Sequence, residues 1–376
     1  MTLICIGELV VVSEGIMKLY NDVYRGKTVL VTGHTGFKGS WLSIWLRELG
    51  AKVVGYALDP YTDRDNFVLS HLNEKIIDIR GDIRDGGKLA SVFKKYKPEI
   101  VFHLAAQPIV RLSYEIPVET YEVNVMGTIK LLECIRNTDE TKVGVIITTD
   151  KCYENKEQIW GYRESDSFGG YDPYSSSKGA CEIAINSWRK SFFNPCDYKN
   201  HGKSISSVRA GNVIGGGDWT KDRIIPDCIK AIENSQAIEI RNPKSIRPWE
   251  HVLEPLSGYL LLGQKMWEDP TAYSEGWNFG PDPDSIVDVM NVAEKLIKIY
   301  GRGSIEDVSS ENDLHEAKLL LLDITKARLK LGWSPTLDFY ESLEMTVDWY
   351  RNYRDENVYS RCVKQIETFI TKGRLK

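Results

Sequence analysis

From Lys27 to Asn212 the sequence switches at regular intervals between short apolar runs and longer amphipathic ones. KTVLVTG (27–33), AKVVGYALD (51–59), EIVFHLAA (99–106), KVGVIITTD (142–150) and SISSVRAGN (204–212) read as strands, and KIIDIRGDIRD after the second adds another. Helical spacing covers 36–49, a stretch ending at Tyr96, about 114–137, and 173–193. This alternation leaves few folds open. Strands separated by helices of such length pair in parallel, with right-handed crossovers, in a doubly wound sheet. Ligands of such sheets bind beyond the carboxyl ends of the strands, so chemistry-bearing residues are expected just after each strand.

The first strand runs into Gly33-His34-Thr35-Gly36-Phe37-Lys38-Gly39 and then into a helix. Glycines there permit a tight turn and let backbone N–H groups approach a pyrophosphate, which the positive end of the helix also attracts. A strand before and a helix after are the context that makes such a loop a dinucleotide site. A Walker A reading fails, because Lys38 precedes its glycine and no GK[ST] occurs. Asp59 ends the second strand, where a carboxylate accepts bonds from ribose hydroxyls and repels a 2′-phosphate, favouring NAD over NADP. Asp82 and Ile83, after the third strand, are expected to flank the adenine. Leu104, Ala105, Ala106 and Gln107, after the fourth, supply small residues for the cofactor to lie against.

Beyond 212 the rhythm breaks into loops rich in Gly, Pro and Trp (GGGDW, 215–219; RNPKSIRPWEH, 241–251), with helices near 285–300 and 338–353. The chain therefore reads as α/β, a Rossmann-type doubly wound parallel sheet with a smaller, irregular C-terminal substrate domain. Residues 17–211 form the NAD-binding domain, with returning segments near 245–280, and 212–244 and 281–376 the substrate-binding domain. Residues 1–16 are expected to be an extension outside the core. Their apolar run is broken by Glu8, no Lys or Arg precedes it, and Met17 opens a segment leading into the first strand.

Charge and cysteine usage exclude other classes. With 48 Lys and Arg against 53 Asp and Glu, the net charge of −5 argues against nucleic-acid binding. No apolar run reaches the roughly 18 residues of a membrane span. Cys5, Cys134, Cys152, Cys181, Cys196, Cys228 and Cys362 are odd in number and include no CxxC pair, which fits reduced thiols in a cytoplasm. No carboxylate or Cys cluster surrounds His34, His103 or His315, so no metal is expected.

Tyr174-Ser175-Ser176-Ser177-Lys178 opens a helix, and positions i and i+4 share a face. A neighbouring ammonium is expected to lower the Tyr174 pKa, so that the phenol takes a proton from a sugar hydroxyl as hydride leaves the carbon.

Together these residues resemble the extended short-chain dehydrogenase/reductase superfamily and, more finely, its sugar-nucleotide 4,6-dehydratases. The resemblance runs from about residue 24 to residue 350. It is carried by VTGHTGFKGSWLSIWL (31–46), FHLAAQPIVRLSY (102–114), TTDKCYEN (148–155), GGYDPYSSSKG (169–179), VRAGNVIGGGDW (208–219) and RNPKSIRPWEHVLEPLSGY (241–259). It implies a redox-neutral hydro-lyase with bound NAD that acts on a nucleotide sugar in deoxysugar biosynthesis, as a homodimer or homotetramer. Hydride leaves sugar C4, water is lost across C5 and C6, and hydride returns to C6. The family's elimination triplet falls on Thr149, Asp150 and Lys151. Thr149 would bond the C4 oxygen, Asp150 would protonate the departing C6 hydroxyl, and Lys151 would be the base at C5. Most relatives have Glu at the last place, and Lys followed by Cys152-Tyr153 resembles the branch acting on CDP-glucose, which yields CDP-4-dehydro-6-deoxy-D-glucose. The resemblance also places a phosphate-binding arginine at Arg247. Asn212, Arg223 and Arg111 are further candidates for the substrate. The rival readings are an epimerase or decarboxylase on the same fold, and a catalytically silent NAD-binding regulator.

Overall fold

The computed structural model describes residues 19–309 and 319–375; the expected extension at 1–16 lies outside them. Its strands in chain order are β1 (Thr28–Thr32), β2 (Lys52–Ala57), β3 (Ile77–Arg80), β4 (Ile100–His103), β5 (Val143–Ile147), β6 (Ser204–Ala210), β7 (Asn212–Ile214), β8 (Ile238–Ile240), β9 (Ile246–His251), β10 (Gly276–Phe279), β11 (Ile286–Asp288) and β12 (Ile305–Asp307). The longer helices are α1 (Phe37–Glu48), α2 (Gly86–Tyr96), α3 (Gly127–Arg136), α4 (Pro173–Ser191), α5 (Ile224–Glu233), α6 (Leu253–Glu268), α7 (Val289–Tyr300), α8 (Phe339–Asn352) and α9 (Val358–Leu375).

Strands such as TVLVT and VGVII are apolar on both faces, as strands covered on both sides must be. They form a seven-stranded sheet in the order β10-β6-β5-β4-β1-β2-β3, and every neighbouring pair is parallel. Successive residues serve opposite layers. Val29 and Val31 join the core with α1 and α6, while Leu30 faces the layer of α2, α3 and α4. Chain order reverses between β1 and β4, and this switch point opens a crevice at the carboxyl edge. The registers Thr32↔His103 and His103↔Ile146 bring β1, β4 and β5 to that edge at nearly the same level.

The helix expected over 114–137 is broken. It comprises Val110–Glu115, Pro117–Tyr121, a wider turn at Glu122–Met126, and α3. Proline cannot supply the N–H that would continue a helix, so the chain restarts with Pro117 in a first turn. Past the main sheet, β7 pairs in parallel with β9 and β11 pairs antiparallel to it, while β8 pairs with β12. α9 lies in the stretch grouped by sequence with the smaller layer. It instead packs on α1, with Phe369 and Trp45 rings 5.9 Å apart and the Tyr359 hydroxyl donating to Glu48 at 2.5 Å.

One buried ion pair ties α4 to the sheet. Arg209 of β6 makes two 2.8 Å bonds to the two carboxylate oxygens of Glu182. Thr148 donates to the same carboxylate at 2.5 Å, and Arg209 also donates to the Tyr153 hydroxyl at 2.6 Å. Tyr153 in turn donates to Asn278 of β10 at 2.8 Å. Removing one member of such a pair strands a charge out of water. Arg209→Met is expected to cost about 3–5 kcal/mol, read as a lower Tm by calorimetry, and Glu182→Leu added to it should recover part of the loss.

Candidate active site

A cavity of about 600 Å³ opens at the carboxyl edge of the sheet. Its cofactor side is built around the glycine turn. Gly33 has φ +74°, and a Cβ there would meet the Ala105 nitrogen at 2.7 Å, so the turn lies directly on the end of β4. A Cβ at Gly39 would meet the Gly33 oxygen at 2.0 Å, which lets α1 start hard against the turn. α1 has Gly36 as its N-cap, and no side chain caps it. Gly33, Thr35, Gly36, Phe37, Lys38 and Gly39 all line the cavity. Thr35 ties the turn to β2 by donating to the Leu58 carbonyl at 3.0 Å. An uncapped helix start behind a close-packed glycine turn is a site that a pyrophosphate fits.

The further cofactor candidates divide. Asp82 and Ile83 line the cavity beyond β3, and Leu104, Ala105 and Ala106 line it beyond β4. Asp82 is engaged by the Arg84 guanidinium at 2.7–3.1 Å, which holds its carboxyl below the usual range. Gln107 does not line the cavity. Its side chain accepts from Ile109 N at 2.5 Å and donates to Thr120 at 3.0 Å, bracing its own loop instead. Asp59 has a side chain 87% exposed, 3.6 Å from Arg80, and belongs to a small adjoining hollow. Leu58 takes the neighbouring place on the main wall.

The candidate catalytic residues gather where β5 ends. Thr149, Asp150, Lys151, Tyr174 and Lys178 share the cavity wall. Asp150 is 3% exposed. One of its oxygens accepts from the Thr149 hydroxyl at 2.9 Å, and the other has no partner among the described residues. Burial pushes the Asp150 pKa up, against the pull of Lys151, the Thr149 bond, Arg247 and Lys38. This is the direction an acid catalyst needs. Asp172 caps α4 by accepting from Ser175 N at 2.9 Å, with Pro173 in the first turn, and this fixes Tyr174 at the helix start.

The expected lowering of Tyr174 by Lys178 is not found. Burial pushes the phenol up to about 12, partly offset by its bond to Thr149 and by the charge of Arg223. The Lys178 ammonium donates at 3.5 Å to the Ile147 carbonyl, and burial lowers its own pKa. Lys38, also facing the cavity, is brought down to about 8 by burial, with Glu250 opposing.

The substrate candidates Asn212, Arg223, Arg247 and Arg111 all line the same cavity. Arg247 is buried on β9 and donates to the Ile246 carbonyl at 2.9 Å; Arg223 is paired with Asp218 at 2.7 Å. Sequence reasoning missed Asp227, Asn242, Ser245 and Trp249, which also line it. Asp227 is signalled only by a carboxylate in an otherwise apolar IIPDCI run, and Asn242, Ser245 and Trp249 lie in the 241–259 segment that carries the resemblance, which points there to Arg247. Among the described residues, no group of three or more His, Cys, Asp or Glu is placed to hold a metal ion.

A family profile described as GDP-mannose 4,6 dehydratase matches residues 30–346. The chain belongs to this family. Within the sequence relatives, it is 50% identical over 351 residues to a CDP-glucose 4,6-dehydratase of Salmonella typhimurium, covering 93% of this chain and 98% of that one. Two solved structures share the fold. A UDP-glucose 4-epimerase of Thermotoga maritima with UDP-glucose matches with TM-score 0.75 and 23% identity, over 87% of this chain and all of that one. A dTDP-glucose 4,6-dehydratase of Bacillus anthracis in complex with NAD matches with TM-score 0.72 and 22% identity, over 87% and 97%.

The raised pKa of Asp150 carries a sign. A step that needs its proton is expected to slow as pH rises through that pKa. Asp150→Asn should lower the rate and remove this alkaline limb from the kcat profile measured in steady state.

Proposed function

We propose that this chain catalyses the NAD-dependent 4,6-dehydration of CDP-D-glucose, giving CDP-4-dehydro-6-deoxy-D-glucose and water. One observation carries the reading. Thr149, Asp150 and Lys151 stand at the end of β5 in the same cavity as the glycine turn, Tyr174 and Lys178. An epimerase needs no acid and base pair for elimination, and a silent regulator needs neither Tyr174 nor Lys178. The choice of CDP-glucose is supported by the Salmonella relative, 50% identical along nearly its whole length.

The glycine turn, Asp82, Ile83 and Leu104–Ala106 would hold NAD, with Asp59 at the rim biasing against a 2′-phosphate. Bound NAD supplies the hydride acceptor for C4 and the hydride donor for C6. Tyr174 takes the C4 hydroxyl proton, and Lys178 beside it favours the phenolate once the ligands exclude water. Thr149 bonds the resulting C4 ketone. The ketone acidifies C5, Lys151 removes that proton, and Asp150 protonates the C6 hydroxyl, which leaves as water. Lys151 then returns its proton to C5 and the C4 ketone is kept, so the net change is loss of one water. Arg247, Arg223 and Arg111 would balance the diphosphate, for which a guanidinium is well shaped, and Asn212 would bond the sugar.

No described helix is long and apolar enough to cross a membrane, and the six described cysteines are unpaired. Both fit work in the cytoplasm. Val118, Tyr121, Met126 and Ile183 stand exposed on the Pro117–Arg136 stretch and α4, which supports at least a homodimer through these helices. Light scattering at micromolar concentration should give twice the chain mass or more; a stable monomer removes that part of the reading.

The central test is a panel of CDP-, dTDP-, GDP- and UDP-glucose with product mass. Loss of one water is expected from CDP-glucose above the others, and no loss from any of them refutes the reading. Lys151→Ala should split the reaction. A positioned base contributes about 10²–10⁴-fold, so turnover should fall by that order while NADH absorbance builds up. Tyr174→Phe should give neither NADH nor product. Normal turnover by Lys151→Ala would move the base elsewhere.

A further inference from the structure

Part of the cavity wall has no role in the chemistry above. It is formed by the first turn of α5, the end of β8, the loop after it and the start of α7, with Ile225, Asp227, Ile240, Asn242 and Val289 on its surface. α5, β8 and α7 pack against one another, so this wall is one unit. Its apolar members suit a flat heteroaromatic ring.

The charges there are uneven. A cavity for a diphosphate disfavours carboxylates, and two of the three acidic side chains from the 218–227 segment are offset. Asp218 is met by Arg223 at 2.7 Å and Asp222 by Arg241 at 3.0 Å. Asp227 is not offset in this way. The nearest cation is Lys230 at 3.9 Å, one turn along the same helix and 34% exposed. No hydrogen bond to the Asp227 carboxylate is formed among the described residues. The Asp227 side chain is 37% exposed and solvated, but a base seated against it displaces that water, and the cost of lost hydration then adds to repulsion by the diphosphate. A donor on the ligand relieves both.

We propose that Asp227 reads the substrate's base by accepting a hydrogen bond from the exocyclic amino group of cytosine. The proposal rests on the reading that a CDP-sugar is the substrate. Cytosine presents an amino group that a carboxylate accepts from. Uracil and thymine offer only N3–H, flanked on both sides by carbonyl oxygens that a carboxylate repels. Asp227 therefore discriminates among pyrimidines by one favourable contact and one unfavourable one. Glu239 also touches the cavity, but it projects into water between the buried Ile238 and Ile240 of β8, which makes it the control.

The test removes the amino group from either side. kcat/KM is measured for CDP-glucose, for its analogue with a pyrimidin-2-one base lacking the amine, and for UDP-glucose, with the unaltered enzyme, Asp227→Ala and Glu239→Gln. Deleting the amine should cost the unaltered enzyme and Glu239→Gln about tenfold or more, the size of one hydrogen bond to a charged group. It should cost Asp227→Ala, which has no acceptor, little, and the preference of that variant for CDP- over UDP-glucose should shrink by a similar factor. If the amine deletion costs the unaltered enzyme nothing, or costs Asp227→Ala just as much, Asp227 does not read the base. The unaltered-enzyme arm decides this even if the variant folds poorly. If the unaltered enzyme prefers UDP-glucose, the CDP reading itself falls and takes this inference with it.

Discussion

The geometry of the site depends on the contact between Glu182 and Arg209. Glu182 lies one helical turn beyond Lys178 on α4, and Arg209 lies on β6, so their paired bonds fix the helix of Tyr174 and Lys178 against the sheet. The same carboxylate holds Thr148, immediately before the triplet at the end of β5. The other face of the guanidinium holds Tyr153, just after it. Both flanks of Thr149-Asp150-Lys151 are thus anchored to one pair. Buried pairs of this kind often add little net stability. Their value here is positional, because a displacement of a single ångström spoils proton transfer.

Around that anchored frame, dehydration of the cavity is the main electrostatic influence. Burial raises Asp150 and Tyr174 and lowers Lys178 and Lys38. Each group is pushed towards its neutral form. For Asp150 the neutral form is the one that protonates a leaving group, whereas Tyr174 must be brought back to the phenolate by Lys178 before it takes a proton. Against burial, Asp218 holds the Arg223 guanidinium above its usual range, and in the proposed function Arg223 and Arg247 would supply the positive potential that a diphosphate requires.

Most of the sheet was legible because parallel strands buried on two faces must be continuously apolar, a pattern that survives without tertiary context. The glycine turn and the Tyr174–Lys178 spacing were legible for a similar reason: each is a local geometry written in consecutive residues. Gln107 was misread because its direction is set by Thr120 and Asn124, 13 and 17 residues further on. The break at Ile116–Pro117 could have been inferred from the proline alone. Tyr174 was misjudged for a different reason. Sequence spacing places an ammonium nearby, but only the packed structure reveals that burial outweighs it. The wall around Asp227 carries no motif because it is assembled from α5, β8 and α7.

α9 is separated from its partner on α1 by most of the chain. Tyr359 reaches Glu48 across 311 residues. During synthesis, the Trp45 face of α1 is therefore made early and covered late. Throughout that interval the helix that follows the glycine turn carries a tryptophan met by Tyr20 but still lacking Phe369, a surface of the kind chaperones recognise. A ribosome stalled before α9 would hold a nascent chain whose sheet could form while the outer support of its cofactor helix was still missing.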